Sequence, residues 1–324
     1  MHYNKVPHGI MFHHFHGGNY LPSQGSVSAD DFKKILEFVG PKRILPPAEW
    51  LDKLVKKALK PEDLCLTFDD GLLDQIEVAL PILESLGLKA FWFVYSGVFS
   101  AEGGSASDGE GLENMELYRV FRTQYFKDLD DFYRLFFQKV SDSEMASLAN
   151  SQEITRAVSE LRKTFPFYSK NDAKFRIFRD KILRKQNYER IMDALLKERG
   201  VEKSVLAKNL WMNNRHLKYL AGNGHAVGLH SYSHPTALAD LRPEEQLREY
   251  QKNYSHLEKV CGKKPTVMSH PCNSYSDDTL RILKQLGIAC GFRSNLFPGK
   301  SGGHLNASDL EIAREDHANL MRAI

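Results

Sequence analysis

The sequence predicts an α/β fold, on three observations. Short apolar runs bounded by Gly, Pro and Ser alternate with amphipathic helical stretches, the rhythm of strand–loop–helix units. An acidic pair ends one apolar run and a histidine ends another. That puts polar chemistry at the carboxyl ends of strands, as in barrels and open α/β sheets. The alternation is interrupted once, by a helical stretch of about a hundred residues, and then resumes.

At 324 residues the chain is long enough for one large α/β domain or two smaller ones. Its hydrophobic share of 42% and charged share of 26% are ordinary for a globular protein, and a net charge of +3 selects no class of partner. Cys65, Cys261, Cys272 and Cys290 form no CxxC pair and no dense framework, so reduced thiols are expected. The first residues lack a cationic start followed by the apolar run of a secretory signal, and no stretch reaches the ~18 apolar residues that span a bilayer. The expected location is the cytoplasm.

Residues 8–15 are an apolar and aromatic run closed by Gly17-Gly18, a first strand. Ser28 caps a helix running through FKKILEFV, and 47–60 reads as another helix. Residues 64–68 form a buried strand, Gly71 supplies the turn after it, and 74–86 is helical with Ile76, Leu80, Leu83 and Leu86 on one face. A strand at 89–95 follows. A Gly/Ser/Ala-rich stretch at 100–111 reads as a loop, and 101–210 as a helical insertion into a domain made of 1–100 and 211–324. Beyond it come strands at 225–230, 266–270 and 288–293, helices at 243–261 and 277–286, and a last strand near 310–314.

Two words carry the chemistry. Thr67-Phe68-Asp69-Asp70-Gly71 puts adjacent carboxylates behind an apolar run, and His230-Ser231-Tyr232-Ser233-His234-Pro235 puts two imidazoles four positions apart. One carboxylate with two neutral imidazoles makes a three-ligand set that leaves a divalent metal an open position for water, and the spare carboxylate can act as base. Neighbouring side chains on an extended backbone leave opposite faces, so the two carboxylates converge only if the strand ends there. Pro235 disfavours helix at His234 and points to a turn. The donor set suits zinc best, with cobalt, nickel or manganese compatible. The competing reading is an Asp pair capping the next helix and two surface histidines.

Both words resemble the first two signature motifs of the NodB-type polysaccharide deacetylases, carbohydrate esterase family 4, and the resemblance covers 8–98 and 224–316. It implies a distorted (β/α)7-type barrel with an inserted helical subdomain, with Asp69 as general base and Asp70, His230 and His234 as metal ligands. The third family motif is altered: Ser269-His270-Pro271-Cys272-Asn273-Ser274-Tyr275 keeps Pro271 but lacks the Arg that orients the catalytic Asp. Arg314 and Arg293 are the candidates to replace it, and Pro271 and Tyr275 are expected to line the groove. No Leu-x-His word supplies the general acid, so His317 is the first candidate, then His270 and His304. His13, in Ile10-Met11-Phe12-His13-His14, matches the opening of a subset of these enzymes and is expected at the floor of the site, with His14 and His16 as alternatives.

Between Lys163 and Arg190 nine basic residues stand against three acidic ones, interleaved with aromatics such as Phe165, Phe167, Phe175 and Tyr188. Such a face attracts phosphate, on a nucleotide sugar, a lipid-linked glycan or a membrane surface; the bland alternative is a solvated helix face. No nucleic-acid motif is present. The expectation is a metal-dependent hydrolase that removes an N-acyl group, foremost acetyl, from an amino sugar. A nucleotide- or lipid-linked precursor in surface polysaccharide (lipopolysaccharide or capsule) biosynthesis is the expected substrate, with the insertion as a lid. A deformylase or other amidase, and a non-catalytic carbohydrate-binding descendant, are the alternatives.

Overall fold

Strands in this chain are short, apolar and mostly buried on both faces, as parallel sheets require. A computed structural model describes residues 6–99, 113–141, 151–164 and 168–324. The expected loop at 100–111, together with Phe165, Phe167 and the Arg184 side chain, lies outside the described residues. Two compact units result, one of residues 1–113 with 207–324, the other of 114–206.

In chain order the strands are β1 (His8–Phe12), β2 (Phe15–His16), β3 (Val27–Ser28), β4 (Leu64–Asp69), β5 (Phe91–Val94), β6 (Ala226–Leu229), β7 (Val267–Ser269), β8 (Cys290–Phe292) and β9 (Arg314–Asp316). Seven form one parallel sheet in the order β8-β7-β6-β5-β4-β1-β9, while β2 and β3 pair with each other. A parallel bridge from Phe292 to Ile312 ties β8 to the segment that enters β9, so the sheet is nearly closed into a barrel.

The period of two sorts β4 into two environments. Cys65 joins Phe91, Phe93, Val267, Cys290 and Phe292 in one buried cluster, sealed by Leu45, Trp50 and Leu54. Further along the same face, Thr67 and Asp69 meet Arg314 and Ser269. The opposite face packs Phe68 on Trp92 (ring centroids 4.3 Å apart) and on Phe12 and Phe32. One face thus runs from an apolar floor to a polar mouth at the carboxyl ends of the strands.

Several boundaries differ from the sequence reading. The first strand ends at Phe12, because Phe15 turns away to pair with Val27. The helix expected over 47–60 stops at Val55, where Lys57 takes a left-handed φ of 54°. The helix expected over 74–86 opens as a π-helical turn (Gln75–Ala79), because Pro81 has no N–H for the next α bond. The last strand forms at 314–316 rather than 310–314, since Gly9 and Met11 of β1 pair with Arg314 and Asp316.

The described part of the second unit is mainly helical, including Asn114–Gln124, Leu129–Ser141, Gln152–Thr164, Lys170–Ile177 and Arg184–Glu198, joined by short turns. Its core is aromatic, with Tyr118, Phe121, Phe132, Phe136, Phe175 and Phe178 all fully buried. No helix among the described residues is long and apolar enough to cross a membrane.

The outward aromatic stack joins the sheet, through Phe68, Trp92 and Phe12, to Phe32 of the first helix. Phe68→Ala should therefore cost about 3–5 kcal/mol in urea unfolding, with an unchanged m-value. A cost under about 1 kcal/mol would show that the stack contributes little.

Candidate active site

Asp69 is the last residue of β4, and its carboxylate is 2% exposed as a residue. An isolated charge there would be untenable, and Arg314 answers it with a two-pronged contact. Nη1 donates to Oδ1 at 2.7 Å and Nη2 to Oδ2 at 2.7 Å. The remaining donors of the same guanidinium reach Thr67 Oγ1 (3.2 Å), Ser269 Oγ (2.7 Å) and the Arg293 carbonyl (2.6 Å). Burial pushes the Asp69 carboxyl up, but the Arg314 charge outweighs it and holds the group well below the usual carboxylate range. Arg314 enters from β9, across β1, and Gly9 makes the crossing feasible: a Cβ there would stand 3.0 Å from Arg314 Cγ.

The chain then turns sharply. Asp70 has φ 78° and Gly71 φ 63°, both left-handed, and a Cβ on Gly71 would meet Val94 Cγ1 at 2.8 Å. This turn lets both carboxylates face the same imidazole: His230 Nε2 lies 3.4 Å from Asp70 Oδ1 and 4.0 Å from Asp69 Oδ2. His234 Nε2 lies 3.5 Å from the same Asp70 oxygen. Asp70, His230 and His234 each offer one ligand atom, all within 4.8 Å of one another. Asp70 Oδ1 and His230 Nε2 are buried with no hydrogen-bond partner among the described residues, an arrangement that fits a shared cation. The other nitrogen of His230 is held by the Ser269 carbonyl at 2.9 Å, which fixes the orientation of the ring. Burial alone would lower the His230 imidazole, yet Asp69 and Asp70 raise it, so a cation there competes with a proton.

Residues that the sequence reading did not single out hold this turn. On the helix Pro243–Cys261, Asn253 accepts from His230 N (2.9 Å) and donates to the Val94 carbonyl (3.0 Å). One turn earlier, Glu249 accepts from the backbone N–H groups of Tyr232 (3.0 Å) and Ser233 (2.8 Å). Gln75 donates to the Asp69 carbonyl (2.6 Å) and the His13 carbonyl (2.7 Å), tying β4 to the chain beyond β1. The available signal was an i, i+4 polar pair on a helix whose buried face also carries Gln246, Tyr250 and Leu257.

His13 stands beside the cluster, Nε2 3.9 Å from Asp69 Oδ2, with its side chain 28% exposed. Four other expectations are corrected. His317 stacks on Phe12 and sets its ring nitrogens against the Met11 and Gly25 carbonyls (3.2 and 3.0 Å), so neither faces a leaving group. Arg293 does not reach Asp69: its guanidinium is buried against the Glu311 carbonyl, Asn295 and the Leu305 carbonyl. Tyr275 is 1% exposed and donates to Glu311, stacked on His270, so it cannot line an open groove. Pro271 is buried at the start of a 3-10 turn that shapes the 269–275 segment from inside. Burial also pushes His270 down to about 4, with Nε2 on the Leu310 carbonyl, and His304 is exposed in a loop.

Removing one partner of the Asp69–Arg314 pair leaves an uncompensated buried charge. Arg314→Gln should cost about 3–5 kcal/mol in urea unfolding, and adding Asp69→Asn should recover most of it. Because the Asp69 carboxyl is depressed in the fold, the pair's contribution is complete above the ordinary carboxylate range and fades only as pH falls through the depressed value. A single variant as stable as wild type at pH 7 would contradict the pairing.

The polysaccharide deacetylase family model matches residues 177–291, which include His230, His234 and the 269–275 segment. No curated protein matches the chain. Among solved structures the chain is similar to the Streptococcus pyogenes deacetylase PplD in complex with acetate, at 17% identity and a TM-score of 0.53 over 98% of this chain and 97% of that one. It is also similar to IcaB from Ammonifex degensii (14%, 0.53, 96% and 91%). A third is the BpsB deacetylase domain from Bordetella bronchiseptica (11%, 0.51, 95% and 94%). At these identities the likeness concerns the fold, which is the distorted (β/α)7-type barrel expected from the motifs. The polysaccharide deacetylase model thus lies across the histidine word, and the barrel fold is shared with these structures over nearly the whole chain.

Proposed function

We propose that this protein is a metal-dependent N-deacetylase that hydrolyses the acetamide of an amino sugar. The observation that carries the reading is an Arg-clamped, ionised Asp69 at the edge of a three-donor cluster of Asp70, His230 and His234. A divalent cation bound by those three residues would polarise the acyl carbonyl and lower the pKa of the attacking water.

The chain's own residues divide the remaining work. Asp69 is the base; with both oxygens held by Arg314, its free lone pairs are aimed by the clamp rather than by rotation about its own side chain. Its proton affinity is low, so it takes the proton only as the water oxygen bonds to the carbonyl carbon. Collapse of the tetrahedral species breaks the C–N bond, and the amine must leave protonated. His13 Nε2, near Asp69 and partly open to solvent, is the donor in this reading, replacing His317. The products are acetate and the free amino sugar. A phosphate-bearing precursor as substrate draws support from the basic 163–190 segment.

Asp69→Asn should retain the metal and lose about 10²–10⁴ in rate, with acetate rather than formate released by wild type. His234→Ala should lose the metal by elemental analysis; one equivalent still bound would remove it from the ligand set. For His13→Gln the contrast between substrates decides. Hydrolysis of the sugar acetamide should fall about 10²–10⁴-fold, while an activated aryl acetate, whose leaving group needs no proton, should be much less affected. Equal losses on both would end the proton-donor assignment.

A further inference from the structure

Arg122, on the helix Asn114–Gln124 of the helical unit, has neither a carboxylate nor a hydrogen-bond acceptor as partner among the described residues. Its Cζ lies 4.9 Å from the ring centroid of Phe175 and 5.5 Å from that of Phe132, both rings fully buried. Its Nε is buried and unsatisfied. Two other guanidiniums gather around the same aromatic core. Arg179 Cζ is 5.9 Å from the Phe175 ring, and Arg176 Cζ is 4.2 Å from that of Tyr168. These two have acidic partners, Arg176 in Asp172 (3.1 Å) and Arg179 in Asp180 (2.6 Å).

Clustering three like charges on an apolar platform is unfavourable, and only two of the three are neutralised from within. Burial, with repulsion from Arg179 and Arg176, lowers the Arg122 guanidinium against the opposing pull of Tyr188 and Tyr133. A cation–π contact cannot replace hydrogen bonds to a planar five-donor fork. Phosphate oxygens suit that fork better than a single point acceptor.

We propose that Arg122, flanked by Arg176 and Arg179, is the centre of an anion site that takes the phosphate group of a small phosphate-bearing molecule. The site is built entirely within the helical unit and does not depend on the deacetylase reading.

Pyrophosphate titrated into the full chain by isothermal calorimetry tests it. Wild type should bind saturably and Arg122→Gln should bind about 10- to 100-fold more weakly, the loss expected for charge-assisted hydrogen bonds. Arg122→Lys, which keeps the charge but not the fork, should fall between. If Arg122→Gln loses its far-UV circular dichroism, Arg179→Gln serves instead and should weaken binding several-fold. Asp69→Asn should bind as wild type does, so failure here is separable from failure of the catalytic assignment. The proposal is overturned by an unchanged affinity in folded Arg122→Gln, or by no saturable binding in wild type. It is equally overturned if phosphatidylglycerol vesicles retain wild type but not Arg122→Gln while pyrophosphate does not bind, which would give the guanidinium to a membrane surface.

Discussion

Inside the barrel, Arg314 and Asp69 are each intolerable alone. A buried guanidinium or carboxylate without its partner costs about 3–5 kcal/mol, and the two-pronged contact cancels both costs at once. Other features of the site answer to this pair. Gly9 leaves β1 low enough for Arg314 to cross it, and Thr67, Ser269 and the Arg293 carbonyl take up the remaining donors. Ser269 then extends the network, since its hydroxyl donates to Asp69 while its carbonyl holds His230. Asp69 and His230 are thereby braced by one residue.

The price of the geometry is backbone strain. Asp70, Ser231 and His234 all take left-handed conformations that non-glycine residues avoid, and all three lie in the two motif words. Such turns persist only where neighbours over-determine them. Asn253 and Glu249 do so for the histidine turn, and Gln75 does so beyond β4. These three polar side chains hold backbone groups of both motif words in place.

What could be read from sequence was what is local. The acidic pair and the histidine pair are each compact words, and the strands before them announce themselves by apolar runs. Their meeting is long-range but follows from both sitting at carboxyl ends of parallel strands. The choice between Arg314 and Arg293 was not legible, because each ends a strand expected from the sequence. Closure of the sheet decides it: Arg314 lies in register with Gly9 on β1, whereas Arg293 is consumed by the 295–311 segment. His317 misled for a similar reason. Asp316 caps the short helix that begins at His317 and turns that ring onto Phe12, away from Asp69. His13 came from the motif opening, and its closeness to Asp69 could not be read from spacing at all.

Crystals soaked in a zinc salt and measured at the zinc absorption edge test the central claim most directly. The account predicts one anomalous peak bonded at about 2.0–2.2 Å to Asp70 Oδ1, His230 Nε2 and His234 Nε2 together, with Asp69 left clasped by Arg314. A peak that leaves out any two of those donors, or a first unit with no peak at all, would contradict it.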